Sequence, residues 1–261
     1  MSWWQALLLG VIQGVTEFLP ISSSGHLVLA QSLLATPPAS LEFTIFVHLM
    51  TVIAVVVYFW SALWRLSRQD VTALVVASVP VGVIGALFSS LVISLFASVL
   101  LVGLALVVTA LANFLADRLL ARPGRAAHLS WQSAAVVGFF QALALVPGVS
   151  RSGITLLGSL QQGLDRTAAF RFAFLLSIPA IVGATLFQVF ELARQPIVLD
   201  WLALGTGGLA ALVTGLASLR LLERVMLTAK LNWFGWYALV LGVGVVLLVS
   251  TAPVPAVLES F

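Results

Sequence analysis

The sequence has very few charged residues. Of its 261 residues, 12 are Lys or Arg and 9 are Asp or Glu, so only 8% carry a charge. A soluble domain has about 25% charged residues. This scarcity excludes a soluble enzyme, a disordered chain and a nucleic-acid-binding domain, so no nucleic-acid partner is expected. The chain also has no cysteine, which excludes disulfide bonds and thiolate metal sites.

Apolar residues, by contrast, are abundant and form long runs. They make up 61% of the chain, and the mean hydropathy is +1.16. A membrane core needs about 20 apolar residues per helix, and the runs are too continuous for the alternating strands of a membrane barrel. We therefore predict an all-α polytopic membrane protein that forms one membrane domain over 1–261. The six predicted transmembrane helices are 43–64, 71–95, 97–116, 170–190, 201–222 and 233–250.

Two other stretches, 3–36 and 131–163, are interrupted by polar residues, proline and glycine. Each contains two half-length helical segments around a polar turn, which predicts a re-entrant helical hairpin. The alternative is that 3–36 forms an ordinary span that tolerates a few polar residues. We rank it lower because it spoils the charge asymmetry described below.

The two interrupted stretches resemble each other, which indicates an internal repeat. We interpret the chain as repeat one over 1–116, a basic inner loop over 117–130 and repeat two over 131–250. A hairpin returns to its own side and three spans then cross, so the second repeat starts on the opposite side. This arrangement is an inverted-topology repeat. The matching residues, 128 positions apart, are Gly10 and Gly138, Gln13 and Gln141, Ser24 and Ser152, and Gly25 and Gly153.

The basic residues are distributed as this topology requires. With residue 1 outside, only Arg194 falls on the outer side and Arg151 falls within the membrane. Basic residues concentrate on the cytoplasmic side of membrane proteins. The distribution supports six spans plus two hairpins with both termini outside. The basic residues on the inner side are Arg65, Arg68, Arg118, Arg122, Arg125, Arg166, Arg171, Arg220, Arg224 and Lys230.

The turn of the second hairpin combines a guanidinium group with hydroxyl groups and backbone N–H groups. Arg151 begins a helix there, and helix N-termini attract anions. A guanidinium group matches phosphate oxygens with two parallel hydrogen bonds, so this turn predicts a phosphate cradle. The alternative is that Arg151 pairs with Glu17 and only fixes one hairpin against the other. The remaining candidate substrate-binding residues of this turn are Gly148, Ser150, Ser152, Gly153 and Thr155.

The turn of the first hairpin supplies the groups that could transfer protons. Glu17 could hold a cation or act as a general base, and Gln13 lies four residues earlier on the same helix face. His26 is suited to proton transfer near neutral pH, although it could also be a turn histidine that bonds a carbonyl group. Ser23 is a candidate nucleophile if a base lies beside it.

Ser22, Ser23 and Ser24 have a structural alternative, because serine often caps a helix N-terminus. His48 lies in an apolar run, and we interpret it as a hydrogen-bonding partner of a neighbouring helix. His128 lies in the basic inner loop and carries no functional prediction.

These residues resemble the undecaprenyl-pyrophosphate phosphatase family, the bacitracin-resistance phosphatases of bacterial inner membranes. The resemblance rests on the motif QGVTEFLPISSSGH, residues 13–26, and on PGVSRSGIT, residues 147–155. It implies removal of the terminal phosphate from undecaprenyl pyrophosphate, which recycles the carrier lipid for cell-wall synthesis. By position, the resemblance gives Glu17, Ser23, His26 and Arg151 the catalytic roles.

The resemblance also implies a divalent cation, Mg²⁺ or Ca²⁺, and a site reached from the outer side of the plasma membrane. The family often has Glu where this chain has Gln13, so a cation here would depend on Glu17, on Gln13 as a second candidate ligand and on the substrate's own phosphates. The expected partners are a polyprenyl diphosphate and membrane lipid. Ser22 and Ser24 would contact the substrate together with the second turn.

Three questions stay open at this stage. The attacking group can be Ser23 or water. Inverted repeats with broken helices also occur in secondary transporters, so the alternative function is a transporter or flippase for a phosphorylated lipid or anion. Glycines in the fifth span can pack helices within one chain or between two copies in a homodimer. They are Gly205, Gly207, Gly208 and Gly215.

Overall fold

The computed structural model describes residues 1–33, 39–122, 124, 127–192, 199–228 and 230–251. The secondary-structure elements over these ranges are all helices, in agreement with the predicted class. In chain order they are α1 (Trp3–Phe18), α2 (Ser23–Leu33), α3 (Leu41–Tyr58), α4 (Trp60–Leu63), α5 (Arg68–Leu87), α6 (Ser89–Leu95), α7 (Val99–Leu120), α8 (Trp131–Leu143), α9 (Arg151–Gln161), α10 (Arg166–Leu175), α11 (Ser177–Leu192), α12 (Trp201–Thr228) and α13 (Asn232–Thr251).

Six segments within the described ranges are long and apolar enough to cross a membrane, which confirms the predicted number. The fourth segment is built from α10 and α11, which meet at Leu176. Large apolar side chains lie exposed along the outer faces of these helices, as on the lipid-facing side of α5 at Val75, Val79 and Val83. The protein is therefore a multi-pass membrane protein. The six segments are Leu41–Tyr58, Arg68–Leu87, Val99–Leu120, Arg166–Phe190, Trp201–Thr228 and Asn232–Thr251.

Two predicted spans were too long at their C-terminal ends. The runs 43–64 and 71–95 were each predicted as one helix, but α3 ends at Tyr58 and α5 ends at Leu87. The short helices α4 and α6 follow. At Phe88 the backbone leaves the helical region with φ −118° and ψ 26°. Phe59 and Trp60 follow Tyr58, so composition gave no sign of the first break, whereas Ser89 and Ser90 directly follow Phe88 and were a signal that the prediction did not use.

The two interrupted stretches each form two short helices around a turn. Helices α1, α2, α8 and α9 contain 16, 11, 13 and 11 residues. At 1.5 Å per residue the longest extends about 24 Å, less than the roughly 30 Å of a bilayer core. Helix α1 ends before Pro20, which cannot continue a helix interior. The turns contain the left-handed residues Ser22, with φ 73°, and Gly148, with φ 96°.

The short first helix of each stretch packs closely on a long helix. Helix α1 lies along α12, and α8 lies along α5. Glycine makes both approaches possible. A Cβ atom at Gly10 would overlap the carbonyl oxygen of Gly207, and one at Gly138 would lie 2.5 Å from the carbonyl oxygen of Ala77. Two residues that match in the sequence thus have the same packing role.

The glycines of α12 act mainly within the chain. Cβ atoms at Gly207, Gly208 and Gly215 would collide with the rings of Phe43, Phe46 and Phe18, respectively. At Gly205, in contrast, no described atom lies within 4 Å. Three of the four candidate glycines are therefore used to pack α12 against its own neighbours.

We expect Gly10→Ala to destabilise the protein by about 1–3 kcal/mol, because overpacking forces the backbones of α1 and α12 apart. Gly205→Ala is the matched control. An alanine there meets no atom, and it should leave stability unchanged or raise it by up to about 1 kcal/mol, since glycine is unfavourable inside helices. Thermal unfolding in detergent, followed by tryptophan fluorescence, measures both. Equal melting temperatures for the two variants would contradict this account of the packing.

Candidate active site

The two polar turns lie against each other. The backbone N–H of Gly148 donates to Ser24 Oγ at 3.3 Å, and Ser152 Oγ donates to the carbonyl oxygen of Leu19 at 3.2 Å. A Cβ atom built at Gly25 would be 3.2 Å from Gly148 Cα. The structure thus brings together residues that are more than 120 positions apart.

Glu17 lies at the centre of this contact and is only 7% exposed. Its Oε1 accepts a hydrogen bond from Arg151 Nη2 in an ion pair. Its Oε2 accepts hydrogen bonds from Gln13 Nε2 at 3.0 Å and from Ser23 Oγ at 2.5 Å. One carboxylate therefore joins the guanidinium group of one turn to the hydroxyl group of the other. A hydroxyl bonded to a carboxylate is placed to lose its proton.

Arg151 retains a free donor. Its Nη1 atom is buried and has no hydrogen-bonding partner among the residues described. A buried, unpaired guanidinium nitrogen is costly unless a ligand satisfies it. The arrangement therefore fits an anion that binds beside Glu17. The ion pair between Arg151 and Glu17 is also the contact that the sequence analysis gave as an alternative, and it connects the two turns.

The other hydroxyl groups predicted to bind substrate are engaged in building the turns. Ser150 Oγ accepts from the Gly153 N–H at 3.2 Å and so caps α9. Thr155 Oγ1 donates to the Arg151 carbonyl oxygen at 2.7 Å. Ser22 Oγ likewise accepts from the Gly25 N–H, at 3.3 Å. Their substrate-binding roles stay predictions, whereas Ser23 is the serine whose hydroxyl donates to the central carboxylate.

Gly148 has a structural role as well as its predicted contact with substrate. Its φ of 96° favours glycine. A Cβ atom there would lie 2.6 Å from the Val102 carbonyl oxygen on α7. The second turn can therefore lie against α7 only because residue 148 has no side chain.

The hydrogen bonds of His26 are separate from those that surround Glu17. Its Nδ1 lies 2.7 Å from the Ser22 carbonyl oxygen, and its Nε2 lies 2.8 Å from the hydroxyl group of Tyr237. Within the described part of the chain, no hydrogen bond joins His26 to Glu17, Ser23 or Arg151. The carbonyl contact matches the turn-histidine alternative. The partner on α13 was not predicted.

A different histidine is close to the central carboxylate. His48 Nε2 lies 4.0 Å from Glu17 Oε2, and its Nδ1 bonds the Thr44 carbonyl oxygen at 2.8 Å. His48 was predicted to bond a neighbouring helix. It bonds its own helix instead and faces the acid of α1. In the sequence, the sign of this position was a histidine within an otherwise apolar span.

Two polar residues of α7 hold both turns, and the sequence analysis missed them. Thr109 Oγ1 donates to the Gly148 carbonyl oxygen and accepts from the Ser150 N–H, both at 2.8 Å. Asn113 Nδ2 donates to the Pro20 carbonyl oxygen at 2.6 Å. A threonine and an asparagine four residues apart in an apolar run share one helix face, and this spacing could have identified them.

The oxygen ligands for a cation are few. No group of three or more His, Cys, Asp or Glu residues able to hold a metal occurs in the described ranges. Gln13 Oε1, however, is buried beside Glu17 and has no hydrogen-bonding partner among the described residues. Mg²⁺ is commonly bound by one or two protein carboxylates together with substrate phosphates. Gln13 and Glu17 therefore fit a cation that arrives with a phosphorylated substrate, and not one held by the protein alone.

A second polar cluster lies outside this site. His128 Nδ1 lies 2.8 Å from Asp70 Oδ1, and Arg171 Nη2 lies 3.4 Å from Asp70 Oδ2. These side chains line a cavity of about 220 Å³ that none of the predicted site residues lines. The cluster connects the inner loop to α5 and α10.

Comparison with known proteins identifies the family. The family model described as bacitracin resistance protein BacA matches residues 6–244. The chain belongs to this family. Relatives named undecaprenyl-diphosphatase cover nearly the whole of this BacA chain. The protein from Halothermothrix orenii is 37% identical, with 95% of this chain and 98% of the relative covered. Those from Pelobacter propionicus and Mycobacterium ulcerans are each 39% identical, with 96% and 98% of this chain covered and 98% and 100% of the relatives.

We expect Thr109→Val to destabilise the BacA chain by about 1–3 kcal/mol, because it leaves the buried Gly148 carbonyl and Ser150 N–H groups unpaired. Valine keeps the shape of the side chain. The control is Thr206→Val, since the Thr206 hydroxyl bonds only carbonyl groups of its own helix. Thermal unfolding in detergent measures the difference. A Thr109 variant as stable as the control would contradict the role of α7 in holding the turns.

Proposed function

We propose that this protein hydrolyses undecaprenyl diphosphate to undecaprenyl phosphate and inorganic phosphate, and so recycles a carrier lipid for cell-wall synthesis. The observation that carries the proposal is the buried contact of Ser23, Glu17 and Arg151 across the two turns. Membership in the BacA family and the names of its relatives support the substrate.

In the proposed mechanism, Ser23 attacks the terminal phosphorus. Glu17 takes the proton of the Ser23 hydroxyl as the bond from Oγ to phosphorus forms. The bond from phosphorus to the bridging oxygen breaks, and undecaprenyl phosphate leaves with the proton that Glu17 held. Water then cleaves the bond from Oγ to phosphorus, and Glu17 transfers a proton of that water to Ser23. The hydroxyl stays on the released phosphate.

Arg151 stabilises the charge that develops on the transferred phosphoryl group. Most of the catalytic effect in phosphoryl transfer comes from positioning and electrostatics. The unpaired Nη1 of Arg151 supplies a donor for a phosphate oxygen while Nη2 holds Glu17 in place. In the second step, the Nε2 atom of His26 accepts the proton of the attacking water first and returns it to Ser23 by way of Glu17. The second turn surrounds the diphosphate in this proposal. The residues that shape it are Gly148, Ser150, Ser152, Gly153 and Thr155.

Mg²⁺ or Ca²⁺ takes part in this proposal as the implied cofactor. Glu17 and the free Oε1 of Gln13 would hold it together with the substrate. When bound, the cation neutralises charge on the diphosphate. Glu17 already contacts Arg151, Gln13 and Ser23, so the affinity for a cation without substrate is expected to be low.

The test is phosphate release from undecaprenyl diphosphate by purified protein in detergent with Mg²⁺ or Ca²⁺. Removing a nucleophile lowers turnover by about 10³-fold or more, so we expect that loss in Ser23→Ala. Ser32→Ala is the control on the same helix, because the Ser32 hydroxyl bonds the Val28 carbonyl oxygen at 3.0 Å and no other described residue. The same assay with a chelator tests the cation.

Three outcomes of this assay would count against the proposal. Near-normal turnover by Ser23→Ala would exclude the phosphoserine route and favour attack by water. Tight binding of undecaprenyl diphosphate without phosphate release would exclude the phosphatase. Full activity in the chelator would exclude the cation.

The proposal includes the topology of inverted repeats, with two re-entrant hairpins and both termini on the outer side of the bacterial inner membrane. The short lengths of α1 and α8 support it, as does their equivalent packing on α12 and α5. The charge asymmetry of the loops gives the orientation. The site then opens towards the outer side.

Single cysteines test this topology, because the chain has none of its own. Ser2 and Ser130 are 128 residues apart and directly precede α1 and α8. In intact cells, a membrane-impermeant maleimide should label Ser2→Cys, and it should label Ser130→Cys only after permeabilisation. Labelling of both from the same side would contradict the inverted repeat.

A further inference from the structure

Both ring nitrogens of His26 are engaged, and the partners define the tautomer of the neutral ring. The Ser22 carbonyl oxygen, 2.7 Å from Nδ1, can only accept, so Nδ1 carries the proton. Nε2 is then an acceptor, and the Tyr237 hydroxyl, 2.8 Å away, is its donor. The neutral imidazole is thus held with its Nε2 lone pair directed towards α13.

Tyr237 also fixes the plane of the ring. The two rings lie 9° from parallel, with centroids 5.6 Å apart. Tyr237 itself sits on a helix that packs tightly. A Cβ atom at Gly242 of α13 would lie 2.7 Å from the Gly103 carbonyl oxygen of α7. Since α7 also holds both turns through Thr109 and Asn113, the tyrosine and the catalytic turns share one support.

The position of Tyr237 bears on what His26 can do. In this state the base for Ser23 is Glu17, and the Nε2 atom of His26 is occupied by a hydroxyl group that can rotate to another acceptor. A phosphate oxygen is such an acceptor. Rotation of the hydroxyl would free Nε2 beside the substrate without any change in the ring or its tautomer.

We propose that Tyr237 is a positioning residue: the Ser22 carbonyl oxygen sets the neutral Nδ1–H form of His26, and the Tyr237 hydroxyl holds its Nε2 side in place for proton transfer when substrate binds. This inference rests on the proposed phosphatase function. It assigns a role to a residue of α13, which supplies none of the residues of the two signature motifs.

The test compares Tyr237→Phe with Tyr58→Phe, because the chain has only two tyrosines. Both variants keep the ring and lose one hydroxyl. The Tyr58 hydroxyl donates to Glu223 at 2.5 Å, outside the site. Loss of one hydrogen bond to His26 should lower kcat of Tyr237→Phe by about three- to tenfold, with KM unchanged. Tyr58→Phe should retain normal kcat.

Nitrogen-15 NMR of histidine-labelled protein supplies a readout independent of turnover. The resonance of His26 is assigned by its loss in His26→Gln. We expect the Nδ1–H pattern in all three proteins, because the Ser22 carbonyl oxygen is unchanged, and a shifted Nε2 resonance in Tyr237→Phe alone, because Nε2 loses its hydrogen-bond donor. Normal kcat, or an unchanged Nε2 resonance, in Tyr237→Phe would overturn the proposal. Wild-type protein that releases no phosphate would overturn the proposed function, whereas the NMR comparison would still report on the contact.

Discussion

The structure depends on one buried ion pair that joins two distant turns. Glu17 and Arg151 come from opposite halves of the chain, and both lie among apolar helices. Removing one partner of such a pair leaves an uncompensated buried charge, which costs about 3–5 kcal/mol. The surrounding hydrogen bonds from Gln13 and Ser23 satisfy the remaining oxygen of the carboxylate. The pair therefore fixes the contact between the turns and also defines where chemistry can occur.

This pair is stable because the scaffold around it is rigid. Glycine allows α1 to lie directly on α12 and α8 on α5, so the turns approach from two firmly packed helices. Helix α7 lies against both turns and bonds backbone groups of each. Polar groups of irregular backbone at this depth must be satisfied by protein. Many of these backbone groups are hydrogen-bonded in this molecule, and serines of the turns supply some of the bonds.

Much of the fold could be predicted because membrane helices are encoded in continuous apolar runs. The number of spans and the position of the breaks at Pro20 and Gly148 follow from composition and from backbone stereochemistry. The end of α3 at Tyr58 could not be predicted, since Phe59 and Trp60 continue the apolar run, whereas Ser89 and Ser90 beyond the end of α5 at Leu87 were a signal that went unused. The sequence points to Glu17, Ser23 and Arg151 because they are polar residues within apolar, membrane-associated stretches. His26 was noticed for the same reason. Its partner Tyr237 is 211 residues away in the sequence, and their contact depends on how α13 packs. Thr109 and His48 could be noticed as polar residues in apolar runs, but their partners could not be predicted without knowing which helix faces meet.

The separation of Glu17 and Arg151 along the chain has a consequence for biosynthesis. Arg151 is synthesised 134 residues after Glu17. Chains enter the membrane from the N-terminus, and domains assemble in that order. The first half therefore arrives with an acid that lacks its counter-charge, and such a group is costly in lipid. The Glu17 side chain has to remain protonated, shielded or outside the hydrocarbon until the second turn emerges, so insertion and maturation of the site are separate events.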